Sequence, residues 1–167
     1  ISENFSSYKN LVEFCEKKKV KSLVFASSSA VYGNSNKISH EKDIKINTFD
    51  NINLSPYAIS KKMLEVYSFA FKREFPIVSL RYFNVFGPGQ KFLGNNLPII
   101  SNWINLMIKS KKLIFKGDGS ATRNFVFIDD VVNANILAAF KLKKNYILNV
   151  CSHKSINLTN LLKLFKK

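Results

Sequence analysis

The chain has 167 residues, a length that fits one domain, and hydrophobic residues make up 46% of it, with 15 Phe in the chain. That content is enough for a buried core and excludes a disordered chain. The 26 Lys and Arg against 11 Asp and Glu give a formal net charge of +15, which favours an anionic partner. The lysines are dispersed in short runs, however, and no predicted helix carries Arg with Asn or Gln at base-reading spacing. Nucleic acid is therefore not a predicted partner.

Helical and β-prone segments alternate along the chain. Apolar residues at helical spacing predict helices, and short, almost continuous apolar runs predict parallel strands covered on both faces. In chain order the predicted elements are a helix over 4–18, a strand over 22–26, a loop over 33–54, a helix over 55–74 that opens with Ser55 and Pro56, a strand over 77–82, an irregular segment over 86–96, a helix over 98–110, strands over 113–116 and 125–128, a helix over 131–140 capped by Asp129, a strand over 146–150 and a helix over 158–165. This alternation predicts an α/β fold with a parallel sheet.

The sequence predicts neither a disulfide nor a metal site, and it predicts no membrane partner. Cys15 and Cys151 lie far apart within apolar stretches, which indicates reduced core residues rather than metal ligands or a disulfide. The two histidines are isolated, so no metal site is predicted. A signal peptide and an apolar run of about eighteen residues are both lacking, which favours a cytoplasmic protein with no membrane partner. Ile1 and Lys167 look like cut ends, so we expect an internal piece of a longer protein.

Tyr57 and Lys61 form a candidate acid/base pair. They are four residues apart at the start of a predicted helix, so both side chains emerge on one face about one turn apart. A nearby ammonium and the positive end of a helix both favour the phenolate form of a tyrosine, whose reference pKa is about 10. The pattern alone also fits a partly buried Tyr beside a surface Lys.

A serine-rich turn follows the first predicted strand. Ser27, Ser28 and Ser29 stand between that strand and the sequence AVYG. Their hydroxyls are expected at the C-terminal edge of a parallel sheet, where ligands bind in open α/β folds. Serines in a turn also hydrogen-bond local backbone without any catalytic role. The order of features favours the functional interpretation: the strand, the serine turn, a loop, SPYxxxK on a helix, a strand and RYFN follow one another.

Four stretches carry this order: FASSSAVYG (25–33), SPYAISK (55–61), LRYFNVFGPGQ (80–90) and GDGSATRNFVFIDDVV (117–132). Together they resemble the extended short-chain dehydrogenase/reductase family, in its NAD-dependent epimerase/dehydratase branch, which includes UDP-glucose and UDP-N-acetylglucosamine 4-epimerases. The resemblance implies a partial Rossmann-like doubly wound parallel sheet plus part of a smaller substrate-binding subdomain. It assigns residues 1–90 to the C-terminal half of the NAD-binding domain, with the catalytic residues. Residues 91–167 would mix part of the substrate-binding subdomain with returning Rossmann elements.

The resemblance implies catalytic roles for four residues. It makes Tyr57 the catalytic base and Lys61 the residue that holds the ribose hydroxyls of the nicotinamide half of NAD. Ser28 becomes the hydroxyl that bonds the sugar oxygen being oxidised, with Ser29 as a helper. The implied reaction is a transient oxidation of a UDP-sugar at C4, which gives a 4-keto sugar that can be reduced on its other face.

Binding roles follow from the same resemblance. Asn4, Tyr82 and Phe83 match positions that line the cofactor NAD. Asn84 matches an asparagine that contacts the substrate pyrophosphate, and Arg123 matches an arginine that grips the nucleotide phosphates through its planar fork of donors. Taken alone, Arg123 also fits a surface residue beside a turn. The sugar pocket is expected to depend on residues 91–97 and on the part of the protein beyond this chain.

The residues after Ser28 favour epimerisation. Dehydratases of the family carry an Asp-Glu pair there and the related decarboxylases a Glu, because those reactions need additional acid/base groups. Ser29 and Ala30 supply no carboxylate, which predicts a UDP-hexose 4-epimerase. A 4,6-dehydratase or a 4-keto reductase is the alternative within the family, and a non-catalytic dinucleotide-sensing protein is the alternative from another class. The resemblance also implies a homodimer of the full-length protein, through the helices that begin near Asn4 and Pro56. The apolar stripes of these helices fit plain core packing against the sheet equally well.

We predict that the 167-residue chain by itself is inactive and binds NAD weakly or not at all. Its sequence contains no glycine-rich GxxGxxG turn, which cradles the cofactor pyrophosphate in this family. The strand over 22–26 would also lose a sheet neighbour and leave an edge prone to association. Isothermal titration with NAD should give no saturable heat for this chain, and tight binding would contradict the prediction.

Overall fold

The computed structural model describes residues 2–33, 40–43, 54–90, 98–115 and 117–165. In chain order its helices and strands are α1 Ser2–Lys17, β1 Leu23–Ser28, α2 Pro56–Ala70, β2 Ile77–Tyr82, β3 Asn84–Phe86, α3 Ile99–Ile108, β4 Thr122–Arg123, β5 Phe125–Phe127, α4 Ile128–Lys141, β6 Tyr146–Val150, β7 Ile156–Asn157 and α5 Leu158–Phe165. Short 3-10 turns lie at Ser29–Tyr32 and Glu41–Asp43. The chain divides into two compact units: the first comprises Ile1–Tyr82 and Val132–Val150, and the second comprises Phe83–Val131 and Cys151–Lys167.

The first unit is built on a three-stranded parallel sheet in the order β1-β2-β6. Leu23 of β1 lies opposite Ile77 of β2, and Val78 of β2 lies opposite Tyr146 of β6. The first five residues of the central strand β2 are buried, as expected for a parallel strand covered on both faces. The predicted α/β fold with a parallel sheet is therefore confirmed.

Helices α1 and α2 pack with β1 and β2 in one apolar cluster. Val12 of α1 and Ile77 of β2 are completely buried at its centre. The Tyr8 hydroxyl on α1 lies 2.6 Å from the Ser68 hydroxyl on α2, so the two helices also share a buried hydrogen bond. Burial raises the pKa of Tyr8 to about 12, which keeps this phenol neutral at physiological pH.

The second unit has two small sheets, a parallel pair of β3 and β5 and an antiparallel pair of β4 and β7. Its core surrounds Trp103 of α3, which is completely buried and packs edge-to-face on Phe165 of α5. The indole N–H donates to the Ile114 carbonyl at 2.9 Å, so the polar atom of this side chain is satisfied inside the core.

Four expectations from the sequence are wrong in detail. Helix α2 ends at Ala70 rather than at residue 74, because Phe71 already has extended backbone and the chain then turns to bury Phe75. Helix α4 begins at Ile128, directly after β5, so Asp129 lies inside the first turn and does not cap it. No strand forms over 113–115, where Ile114 instead accepts the Trp103 hydrogen bond.

The fourth concerns Cys151, which is exposed, whereas Cys15 is buried as expected. The short strands β3, β4 and β7 were not predicted at all, because two or three residues show no period. The predicted loop over 33–54 lies largely outside the described residues. The expected sugar-pocket segment over 91–97 lies wholly outside them.

The turn before β4 generates a prediction about stability. Gly117 and Gly119 both have positive φ, +85° and +81°, so alanine at either position strains the backbone. A methyl group at Gly119 would also overlap Thr159 Oγ1 and lie 2.7 Å from the Phe115 ring, whereas the space at Gly117 is open. We expect Gly117→Ala to lower the free energy of unfolding by about 1 kcal/mol and Gly119→Ala by about 1–3 kcal/mol more. Urea denaturation measures both, and equal losses would contradict the crowding at Gly119.

Candidate active site

The start of α2 sets the positions of Tyr57 and Lys61. The Ser55 side chain accepts a hydrogen bond from the Ala58 N–H at 3.2 Å, and Pro56 occupies the first helical position. This is the N-cap arrangement predicted from the sequence, and it satisfies one of the amides that have no partner within the helix. Tyr57 and Lys61 consequently lie in the first turns of α2, where the helix dipole is positive.

Lys61 links α2 to the first strand. Its ammonium donates to the Ala26 carbonyl of β1 at 2.9 Å and lies 5.8 Å from the centre of the Tyr57 ring. Burial lowers the pKa of Lys61. An ammonium has three donors and the contact with Ala26 uses one, so Lys61 can bind further oxygen atoms. The Tyr57 side chain is 53% exposed and accessible to a ligand.

Ser28 is the last residue of β1, two residues after Ala26. Its hydroxyl accepts a hydrogen bond from the Ala30 N–H at 3.2 Å and so begins the 3-10 turn, in which Ser29 is the first residue. Tyr82, the last residue of β2, pairs with Ser28 in the parallel register. The structure therefore brings Ser28, Tyr82 and the head of Lys61 to the C-terminal end of the sheet, as the order of motifs predicted.

The other predicted binding residues have separate surroundings. Asn4 is exposed in the first turns of α1. The Tyr82 hydroxyl donates to Asn135 Oδ1 at 2.9 Å, and burial raises the pKa of this phenol. In the second unit, the Asn84 side chain donates to the Asn124 carbonyl at 2.8 Å, and Phe83 is half-buried.

Arg123 lies on β4 of the second unit, with an exposed side chain. One of its guanidinium nitrogens donates to the Thr122 carbonyl at 2.9 Å. The guanidinium is thus accessible for an anionic ligand.

A buried ion pair beneath the site was missed by the sequence analysis. Glu65 of α2 and Arg81 of β2 are both completely buried, and Arg81 donates to the two carboxylate oxygens at 2.9 and 2.7 Å. Burial alone would lower the pKa of Arg81, but the hydrogen bonds and charge of Glu65 outweigh it and raise that pKa. Two signals existed in the sequence: Glu65 continues the four-residue spacing of Tyr57 and Lys61, and Arg81 interrupts a strand that is otherwise free of charge.

A large apolar cavity lies elsewhere among the described residues. It has a volume of about 890 Å³, lies in the second unit and is lined mainly by apolar side chains such as Phe86, Ile104 and Leu164. None of the predicted site residues lines it. Such an apolar cavity offers few groups for proton transfer or phosphate binding.

Comparison with known proteins identifies the family. Residues 1–151 match the NAD dependent epimerase/dehydratase family. The chain belongs to this family. Its sequence is 36% identical over 160 residues to a putative UDP-glucose 4-epimerase from Methanocaldococcus jannaschii, a match that covers 94% of this chain and 50% of the relative. The chain therefore spans about half the length of the curated relatives it matches.

Solved structures of family members share the fold. A UDP-N-acetylglucosamine 4-epimerase from Methanobrevibacter ruminantium, in complex with UDP-N-acetylmuramic acid, superimposes with a TM-score of 0.83 and 30% identity over 98% of this chain and 51% of its own. The Thermus thermophilus UDP-glucose 4-epimerase, solved with NAD, gives a TM-score of 0.78 and 29% identity over 96% and 52%. Curated relatives in this family also include a decarboxylase and a dehydratase. The Rossmann-like fold is thus established, and the type of reaction is not resolved by family membership.

NAD is the cofactor of this family, and the groups at the end of β1 fit one part of it. A ribose presents a pair of neighbouring hydroxyls, which suit the two remaining donors of the Lys61 ammonium and the exposed Tyr57 hydroxyl. Among the described residues, no group of three or more His, Cys, Asp or Glu side chains could hold a metal ion. Within the same residues, no helix has the length and apolar character needed to cross a membrane.

The burial of Lys61 predicts how it titrates. Its ammonium should lose its proton at a lower pH than the ordinary lysine value of 10.5, because burial disfavours the charged form. Between the lowered pKa of Lys61 in the folded chain and 10.5, the unfolded chain binds more protons than the folded chain. This group therefore makes the free energy of unfolding increase as pH rises through that range. Carbon-13 NMR of labelled lysines, with the signal assigned by Lys61→Arg, measures the transition. A transition at or above 10.5 would contradict the burial of this group.

Proposed function

We propose that the full-length protein is a nucleotide-sugar epimerase of the UDP-hexose 4-epimerase type, which acts through a 4-keto sugar. The observation that carries the proposal is the position of the Lys61 ammonium, 2.9 Å from the Ala26 carbonyl and 5.8 Å from the centre of the Tyr57 ring. An accessible tyrosine beside a lysine of the same helix gives Tyr57 the place of the group that accepts a proton from a sugar hydroxyl.

Each residue at the end of the sheet has a part in this reaction. Tyr57 accepts the proton of the sugar 4-hydroxyl and later returns it to the same oxygen, so no net proton is consumed. Lys61 lies beside the Tyr57 ring and, through its other donors, would hold ribose hydroxyls of the cofactor. When bound, NAD supplies a reversible hydride acceptor for C4 of the sugar. Ser28 binds the sugar oxygen as its charge changes, and Ser29 assists it.

The phosphates of the nucleotide need cationic and amide donors. Arg123 carries an exposed guanidinium on β4, and such a planar fork suits two phosphate oxygens at once. We assign the nucleotide phosphates to Arg123 and the pyrophosphate contact to Asn84. Asn4, Tyr82 and Phe83 are proposed to line the cofactor.

The residues that follow Ser28 favour epimerisation over elimination or decarboxylation. Ser29 and Ala30 begin the 3-10 turn, and neither side chain can act as a carboxylic acid or carboxylate. Dehydration needs an additional acid and base to remove water, and the first turn after β1 offers none. A 4-keto reductase would use the same Tyr57, Lys61 and Ser28, and it differs by consuming a reduced cofactor.

A homodimer of the full-length protein is part of the proposal. Leu11 and Phe14 on α1 are 45% and 55% exposed, and Phe71 at the end of α2 is 58% exposed. Large apolar side chains with this exposure are suited to burial against a second copy.

Replacement of Tyr57 tests the chemistry. The full-length protein from the gene that encodes this chain should interconvert UDP-glucose and UDP-galactose, or their N-acetyl forms, without net loss of NAD. Tyr57→Phe removes the only group assigned as base, so kcat should fall by about 10²–10⁴-fold. Product analysis by NMR and mass spectrometry separates the alternatives, because a dehydratase product has lost water and a reductase consumes the reduced cofactor.

Tyr67→Phe is the matched control. Tyr67 lies on the same helix, and its ring packs edge-to-face on Phe5 at 5.4 Å, a contact that phenylalanine retains. This variant should keep kcat. Normal turnover in Tyr57→Phe would refute the catalytic assignment. A wild-type protein that binds NAD but converts no UDP-sugar would favour the dinucleotide-sensing alternative.

A further inference from the structure

Helix α2 is attached to consecutive residues of β1 at two points. Lys61 donates to the Ala26 carbonyl at 2.9 Å, and the Glu65 carboxylate accepts from the Ser27 hydroxyl at 2.6 Å. Lys61 and Glu65 are one helical turn apart, so these two contacts together resist both rotation of α2 about its axis and sliding along it. The next residue of β1 is Ser28, the proposed substrate-binding hydroxyl.

The Glu65 carboxylate is fully satisfied by the sheet. In addition to Ser27, it accepts hydrogen bonds from the Ser79 hydroxyl at 3.2 Å and from Arg81 at 2.9 and 2.7 Å. Both charged side chains are completely buried. These four donors belong to β1 and β2, so the carboxylate is held by the two strands whose ends carry Ser28 and Tyr82.

Arg81 also holds the serine turn. Its third nitrogen, Nη1, donates to the Tyr32 hydroxyl at 3.0 Å, and its guanidinium lies 4.9 Å from the centre of the Tyr32 ring. The Tyr32 hydroxyl in turn donates to Asn149 of β6 at 2.8 Å. Tyr32 ends the 3-10 turn that starts at Ser29, directly after Ser28. One guanidinium therefore contacts both the helix that carries Tyr57 and Lys61 and the turn that follows Ser28.

Stability is a weak explanation for such an arrangement. Removing two charges from water is costly, and well-packed apolar residues in place of a buried ion pair are often neutral or stabilising. A geometric role has a clear physical basis, since the hydrogen bonds of Arg81 and Glu65 have defined directions that apolar packing lacks.

We infer that the Glu65–Arg81 pair is a positioning device, which fixes Lys61 and Tyr57 of α2 relative to the Ser28 turn. The inference rests on the proposed function for its catalytic meaning. It predicts that the distance from Lys61 Nζ to the Ala26 oxygen stays short only while the buried pair is present. This distance can be measured without any substrate.

The test is the double variant Glu65→Leu with Arg81→Met in the full-length protein. Leucine and methionine fill similar volumes without charge, so the fold should be retained, with a somewhat lower Tm because the buried Ser27 and Ser79 hydroxyls lose their acceptor. We expect kcat to fall at least about tenfold while KM for the UDP-sugar stays within about twofold, because a misplaced base affects the chemical step more than ground-state binding. A crystal structure of the variant should show the distance from Lys61 Nζ to the Ala26 oxygen increased beyond hydrogen-bonding range.

Tyr8→Phe is the matched control for a merely structural effect. It removes the buried hydrogen bond between α1 and α2, and Ser68 keeps its bond to the Leu64 carbonyl. This variant should lower Tm and leave kcat unchanged. If the double variant instead folds with wild-type kcat and an intact contact between Lys61 and Ala26, the inference is wrong.

Arg81→Lys keeps the test decisive if the double variant does not fold. Lysine retains a positive charge for Glu65 but cannot also reach the Tyr32 hydroxyl in the same fork geometry. We expect a several-fold lower kcat with KM little changed, and wild-type kinetics would overturn the inference. Failure of the proposed function would appear differently, as a wild-type protein that turns over no UDP-sugar. The separation of Lys61 and Ala26 in the variants would still decide the positioning role in that case.

Discussion

The buried ion pair between Glu65 and Arg81 is the interaction that ties α2 and the turn after β1 to the central strand β2. Both side chains are completely buried, and removal of one partner from such a pair costs about 3–5 kcal/mol. The pair is tolerated because every carboxylate oxygen is hydrogen-bonded to groups of β1 or β2. Its partners extend to Tyr32 and, through it, to Asn149 of β6. A single polar network thus crosses the whole three-stranded sheet.

Helix α2 has an accessible first part and a buried middle. The first turns, capped by Ser55, hold the exposed Tyr57 and the half-buried Lys61. The middle of the helix buries Lys62, Leu64 and Glu65. Burial lowers the pKa of Lys62, and the nearby Glu65 carboxylate opposes that shift. Tyr57 can remain accessible to a ligand because the same helix is anchored to the sheet through Glu65.

Family membership and local geometry answer different questions. The match to the NAD dependent epimerase/dehydratase family covers residues 1–151 and fixes the class of cofactor. Relatives with several reaction types share that class, so the choice among them depends on individual side chains. The turn after β1 is informative for this reason, since Ser29 and Ala30 offer hydroxyl and methyl groups where elimination would need acids and bases.

The sequence by itself determined the parallel α/β sheet, the start of α2 and the spacing of Tyr57 and Lys61. These features depend on local periodicity, an N-cap and a helical repeat, all of which can be read within a few residues. Only the tertiary structure revealed that Glu65 and Arg81 are buried together, because sequence patterns assign charged residues to the surface and the partners are 16 positions apart. Only the tertiary structure likewise showed that α2 ends at Ala70 and that Cys151 is exposed. Packing against distant elements decides where a helix stops and which side chains reach the core.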